Sequence, residues 1–318
     1  MAQIGVFFST EELSGPRILE LAPQAEQIGF EKAWISDHFH PWNDEQGESP
    51  FVWSVLGGLA AVTSTLKFHT GVTCPMIRTH PVIIAQAAAT VATLMPGRFG
   101  LGVGTGEALN EHIFGDPWPN AEIRREMLEE AVEVIRLMWT GATSSFDGHH
   151  YHVENARIYS LPDELPPLHV SAFGPRAVSM AARIADGFMT VGPEAEFLEQ
   201  YRSEGGTGTS HTALKVCVGP DEEHCIDEAY RLWPNAGLPG ELAQILPTVR
   251  HFEQATELVT RDMIAESTPT GPDAGPVIEA IAEHVEAGYD EVYVAQIGQD
   301  WPFFYEMMER DVLPHFGR

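Results

Sequence analysis

Short apolar segments alternate with helix-patterned segments along the whole chain, and that alternation most limits what it can fold into. Segment 4–8 precedes a helical spacing over 17–28, segment 33–35 precedes 51–63, and segment 66–72 precedes 81–94. Proline at the start of 81–94 falls in a first turn, where no amide hydrogen is needed. Segment 99–103 leads to a long amphipathic helix over 124–139. Strand-like 168–172, 187–190 and 214–218 are followed by helix-like 176–184, 194–202 and 222–232, and helix 276–287 precedes strand 291–296 and helix 301–312. About eight strands, each with a following helix, predict an α/β fold built as a single (β/α)8 TIM barrel over residues 1–318. An open doubly wound sheet is the alternative. Two insertions interrupt the rhythm: a β-hairpin over 144–153 turning at Asp147-Gly148, and a Pro- and Gly-rich stretch over 232–275 with helical pieces such as 249–263.

Charge narrows the partners. Forty-six acidic residues against eighteen basic ones give a formal charge of −28, which argues against nucleic acid and anionic membranes as partners. The only lysines are Lys32, Lys67 and Lys215. Such a surface suits high salt, which screens self-repulsion, and it equally suits an ordinary acidic cytoplasmic protein. No apolar run approaches the ~20 residues that span a bilayer. The opening segment reads as a strand rather than a basic leader, so a soluble cytoplasmic protein is expected. Cys74, Cys217 and Cys225 are too few and too scattered for a disulfide framework or a zinc site.

Polar clusters sit where barrel enzymes build their sites, directly after strands. Asp37 and His38 follow the second strand, with Trp42 close behind; Thr73 and Cys74 follow the third. The run Gly100-Leu-Gly-Val-Gly-Thr-Gly-Glu-Ala-Leu-Asn110 follows the fourth and carries Thr105, Gly106, Glu107 and Asn110. Its glycines let backbone approach a ligand closely, and their spacing and mid-chain place do not match a Rossmann fingerprint. Gly174-Pro175-Arg176 follows the fifth strand and opens a helix, a ready anion site. Histidine is the usual proton shuttle near neutral pH. His150, His152 and Glu154 share one face of the hairpin, but an extended strand spreads them apart and no fourth ligand is evident, so no metal is expected.

These motifs carry a resemblance. Ser36-Asp-His-Phe-His-Pro-Trp42, His80-Pro-Val-Ile-Ile-Ala-Gln86, Pro96 through Glu111, and Ala185-Asp-Gly-Phe188 resemble the luciferase-like barrel superfamily. Within it the chain resembles the branch using the deazaflavin coenzyme F420, in particular the F420-dependent glucose-6-phosphate dehydrogenases. The resemblance implies an oxidoreductase moving a hydride between a small-molecule substrate and C5 of the deazaflavin. It implies His38 as the base on an alcohol, Glu107 as the acid near ring N1, and Trp42 as a wall of the substrate pocket. Asp37, Thr73, Cys74, Thr105, Gly106 and Asn110 would contact the coenzyme, Gly71-Val72 would form a cis peptide behind its ring, and Gly174, Pro175 and Arg176 would hold its phosphate. Cys74 stands where the family often has Thr. The family's sugar-phosphate cations have no lysine here in 194–202, 241–247 or 265–272, whose one basic residue is Arg202. Burying a phosphate dianion without cations is costly, so glucose 6-phosphate is expected to be a poor substrate. An FMN-dependent monooxygenase of the same superfamily and a catalytically silent coenzyme-binding barrel are the alternatives. The resemblance also implies a homodimer, with 51–63 and 81–94 apolar enough to form the interface.

Overall fold

A parallel strand covered on both faces needs apolar residues at nearly every position, and β1 (Gln3–Phe8) is buried at five of its six residues. In the computed structural model, which describes residues 2–317, β1 is followed by α1 (Gly15–Ile28), β2 (Lys32–Ile35), α2 (Val52–Val62), β3 (Lys67–Thr70), α3 (Pro81–Leu94) and β4 (Phe99–Val103). A short helix α4 (Ala108–Glu111) precedes α5 (Ala121–Met138), the hairpin β5 (Ser144–Asp147) and β6 (His152–Ala156), then β7 (Leu168–Ser171), α6 (Pro175–Ile184), β8 (Gly187–Met189), α7 (Ala195–Ser203) and β9 (Ser210–Val218). The chain continues through α8 (Glu222–Leu232), α9 (Leu242–Ile245), α10 (Val249–Thr256), α11 (Arg261–Ser267), β10 (Thr270–Gly271), α12 (Ala274–Glu286), β11 (Glu291–Gln296) and α13 (Trp301–Met307).

Eight of these strands pair in parallel and close on themselves in the order β1-β2-β3-β4-β7-β8-β9-β11, with β11 returning to β1. The closed (β/α)8 barrel replaces the open-sheet alternative. β10 adds one parallel strand to β9 outside the ring, at Thr270↔Cys217. Between ring and helices lies the main apolar core, to which α5 contributes Leu128, Ala131, Val132, Ile135 and Met138. Asn120 starts α5 by accepting from the amides of Glu122 and Ile123 at 3.0 and 3.1 Å, the arrangement that satisfies otherwise orphaned first-turn donors. Inside the ring, Phe7, Trp34, Met189, Ala213, Tyr293 and Ala295 pack together, with Trp34 stacked on Tyr293 at 4.5 Å.

The differences from the sequence reading have local causes. β3 ends at Thr70 although the apolar pattern runs on, because Val72 faces a cavity at the barrel mouth instead of pairing. β9 begins at Ser210, ahead of its apolar run, because the polar residues His211 and Thr212 point into buried surroundings. The hairpin extends to Ala156. The insertion over 232–275 folds into α9, α10, α11 and β10. No helix among the described residues is long and apolar enough to cross a membrane.

Candidate active site

The carboxyl ends of β1, β2 and β4 meet around one imidazole. His38 leaves the end of β2, and its Nε2 lies 3.5 Å from Glu11 Oε1 and 3.6 Å from Glu107 Oε1. Its other nitrogen, Nδ1, lies 3.0 Å from Asn110 Nδ2 and 3.2 Å from the His40 carbonyl. The Asn110 amide is not free to turn over. Its Oδ1 accepts from the backbone amides of Phe39 (2.8 Å) and His40 (2.9 Å), so Nδ2 must face His38 and Glu107, to which it also donates. Trp42 tilts against His38 with ring centroids 5.0 Å apart and donates from Nε1 to Glu11 at 3.2 Å.

Glu11 is buried, and burial alone would raise its pKa. Its proximity to His38 and a 2.5 Å hydrogen bond from Ser36 Oγ outweigh that, and the net shift is downward. Glu11 is therefore a carboxylate beside the imidazole, suited to stabilise an imidazolium. Its neighbour Glu12 behaves oppositely: burial pushes it up to about 7 despite hydrogen bonds from Gly298 N and Trp233 Nε1.

A second network lies behind this one. Asp37 Oδ2 accepts from Thr73 Oγ at 2.8 Å, while Oδ1 accepts from Arg78 Nη2 at 2.9 Å. Arg78 also donates from its backbone amide and Nε to Glu111 at 2.7 and 3.3 Å. One guanidinium thus joins two buried carboxylates and ties the β2 end to α4. Burial raises Glu111 to about 7 against the pull of Arg78, and it drives the Cys74 thiol well above its ordinary value, keeping it a neutral wall residue.

These groups border a cavity of about 420 Å³ whose walls include Phe7, Trp34, Asp37, His38, Trp42, Gly71, Val72, Cys74, Gly106 and Glu107. Its outer wall is Ser171, Phe173, Thr190 and Val191, with Gly240, Ala243 and Gln244 from the insertion. The Gly71–Val72 peptide is cis. Gly106 has φ +66°, and a Cβ there would meet Cys74 Sγ at 2.6 Å. Among the sequence-derived candidates, Thr73 and Asn110 stand behind the wall as hydrogen-bonding supports. Thr105, Gly174, Pro175 and Arg176 are not among the cavity-lining residues; the last three follow Phe173 at the rim. Arg176 is exposed, and α6 has no side-chain cap.

Sequence reasoning missed Glu11, Arg78 and Glu111. Glu11 had a signal, since Ser9-Thr10-Glu11-Glu12 directly follows β1 just as Asp37 follows β2. Lys215 was also missed as a cavity residue. It is half-buried and lines a second space of about 590 Å³ that shares Phe7 and Val191 with the first. Burial lowers its pKa against the pull of Glu11 and Glu12, and its Nζ lies 4.0 Å over the Trp233 ring. Arg202 faces away, engaged by Asp290 at 3.1 Å and the Gly208 carbonyl. The hairpin histidines take separate partners, His152 with Asp147 at 2.8 Å and His150 near Glu126 at 3.6 Å.

Residues 2–291 match the family described as luciferase-like monooxygenase. The chain is 33% identical to an F420-dependent glucose-6-phosphate dehydrogenase of Nocardia farcinica, over 97% of this chain and 96% of the relative. It is 35% identical to an F420-dependent hydroxymycolic acid dehydrogenase of Mycobacterium tuberculosis, over 90% and 80%. Among solved structures, an F420-dependent secondary alcohol dehydrogenase in complex with an F420-acetone adduct superposes with a TM-score of 0.90 at 30% identity, over 98% of both chains. A monooxygenase from Streptomyces bottropensis, at 21% identity and a TM-score of 0.75, shares the fold.

Proposed function

Since the chain belongs to the luciferase-like monooxygenase family, we propose that it is an F420-dependent oxidoreductase that interconverts an uncharged secondary alcohol and its ketone. Relatives at 30–35% identity are F420-dependent dehydrogenases, which favours the deazaflavin over FMN. The coenzyme, when bound, supplies the hydride acceptor. The residues present fit it. The cavity floor is apolar and flat-sided, with Trp34 and Val72, Gly106 clears space for backbone approach, and the uncapped start of α6 with Arg176 suits a phosphate.

The observation that carries the reading is His38, held at the cavity wall between two carboxylates. Nε2 is the ring nitrogen that faces the Glu11 and Glu107 carboxylates and exchanges the substrate's hydroxyl proton, while Nδ1 is held against Asn110 Nδ2 and the His40 carbonyl. The imidazolium that results faces Glu11 at 3.5 Å and is stabilised there. Glu107, whose carboxylate is positioned by Asn110, holds the second proton-transfer position. Trp42 closes the wall over His38 and, with Phe252 packed on it at 5.0 Å, limits access of water.

Charge selects the substrate. Among the described residues no lysine or arginine lines the cavity, while Asp37, Glu107 and Glu111 do. The adjoining Lys215 sits over the Trp233 ring within the electrostatic pull of Glu11 and Glu12. A phosphate dianion has no pair of free cations to meet it. Steady-state loss of deazaflavin absorbance with 2-propanol, set against glucose 6-phosphate, tests this: turnover with the alcohol and little with the sugar phosphate is expected. Turnover at micromolar glucose 6-phosphate overturns the substrate assignment. The exposed apolar residues Phe51, Val62, Ile83 and Leu94 on or beside α2 and α3 support a homodimer built on those helices, and three free cysteines fit a cytoplasmic location.

A further inference from the structure

At the amino end of the barrel, opposite the proposed active site, three histidines occupy an interior layer that branched apolar side chains usually fill. His69 on β3, His169 on β7 and His211 on β9 are all buried. Their ring centroids lie 5.0 Å (69–169), 4.9 Å (69–211) and 4.3 Å (169–211) apart. A ring nitrogen of each lies within 4.8 Å of one from each of the others. The barrel makes room for them: a Cβ on Gly100 would meet His69 Nε2 at 2.1 Å, and one on Gly187 would meet His169 Cδ2 at 2.2 Å. In all three rings Nδ1 is buried and has no hydrogen-bond partner. Buried polar atoms nearly always have one. Three such atoms in one cluster point to a ligand rather than to packing.

We propose that His69, His169 and His211 bind a divalent transition-metal ion of the zinc type, for which imidazole is a preferred ligand. The cluster is chemically ready for it. Burial lowers the pKa of His69 and His169 to about 3 and that of His211 well below its ordinary value, so all three rings stand neutral, the form that ligates a metal. Outer contacts of the kind that orient ligating histidines are also in place. Thr209 Oγ lies 2.9 Å from His169 Nε2 and 3.1 Å from His211 Nε2, and the Glu291 carboxylate lies 3.4 Å from His211 Nε2. A cavity of about 390 Å³ reaches the cluster from the amino ends of the strands. Its cations, Lys32, Lys67 and Arg98, are matched by Glu164, Asp186 and Glu291, and Lys32 is already paired with Glu291 at 2.6 Å. The entry is therefore not closed to a cation. Three protein ligands leave a position for water from that cavity.

The test measures metal, not turnover, and so stands apart from the coenzyme assignment. Chelator-stripped protein is dialysed against Zn²⁺ and, separately, Co²⁺. Retention of about one equivalent per chain, a melting temperature that climbs with zinc concentration, and the intense visible bands of four-coordinate Co²⁺ are expected. His169→Asn and His211→Gln should lose the bound equivalent, while the triple hairpin variant His149→Ala, His150→Ala, His152→Ala should keep it. No retained equivalent in the wild type, weak six-coordinate Co²⁺ bands, or undiminished binding by His169→Asn overturns the proposal. Should the core variants fail to fold, the wild-type Co²⁺ spectrum and the zinc-dependent melting shift decide it alone.

Discussion

Asn110 holds the proposed proton-transfer pair, His38 and Glu107, and the backbone beside it at four points, which makes Asn110→Ala the most searching substitution. Its Oδ1 satisfies the amides of Phe39 and His40, and its Nδ2 meets His38 and Glu107. Leaving two partly buried amides without acceptors costs about 1–3 kcal/mol each, less whatever water recovers. The larger effect falls on chemistry. General acid–base groups contribute roughly 10²–10⁴-fold each, and Asn110 positions both, so kcat should fall by about 10²–10⁴-fold, or roughly 3–5 kcal/mol of barrier, with KM for the alcohol little changed. Asn110→Asp separates the two roles. It keeps the acceptor for the backbone amides but turns an oxygen toward Glu107, so stability should recover and kcat should not. Stopped-flow hydride transfer with a double-mutant cycle against His38→Ala is the assay. A coupling above about 1 kcal/mol is expected for groups that act through one another. Independent, additive effects, or a kcat within about threefold of wild type, would refute the reasoning.

Other consequences are simpler to check. Arg78→Met strands two buried carboxylates, Asp37 and Glu111, and should cost about 3–5 kcal/mol in urea unfolding, with a larger deficit at pH 8 than at pH 6 because Glu111, raised to about 7 by burial, is then pressed to ionise without its partner. Gly106→Ala places a methyl against Cys74 Sγ at a residue with φ +66°; a loss of about 1–3 kcal/mol together with weakened coenzyme binding is expected, seen by thermal melting and fluorescence quenching. Glu12 is raised from 4.5 to about 7 in the folded state, so its contribution to stability is fully present below pH 4.5 and is lost as pH rises through 7. That amounts to roughly 3 kcal/mol at most, and the stability difference between wild type and Glu12→Gln should shift by that much, against wild type, over the same window.

What the sequence disclosed follows from how far each signal reaches along the chain. The alternation of apolar strands and amphipathic helices is local, so the barrel and its hairpin were legible, and strand-end position picked out Asp37, His38, Gly106 and Glu107, which border the cavity at the barrel mouth. Partners distant in sequence were not. Nothing near Arg78 announces that it bridges Asp37 and Glu111, because the bridge exists only once β2 and α4 are side by side. Glu11 could have been found by applying the strand-end rule to β1. The interior histidines escaped for a related reason: His69, His169 and His211 stand 100 and 42 residues apart, a spacing that suggests no ligand set until the ring closes. The one histidine cluster visible in the sequence, on the hairpin, is held by separate acidic partners instead.

The central claim, that this barrel uses a deazaflavin as its hydride carrier, is tested most directly by titrating the purified protein with oxidised F420 and, separately, with FMN while following fluorescence quenching at low and high salt. Tight, saturable F420 binding with none for FMN is the predicted result. Preferential binding of FMN would contradict it and turn the same cavity into a flavin monooxygenase site.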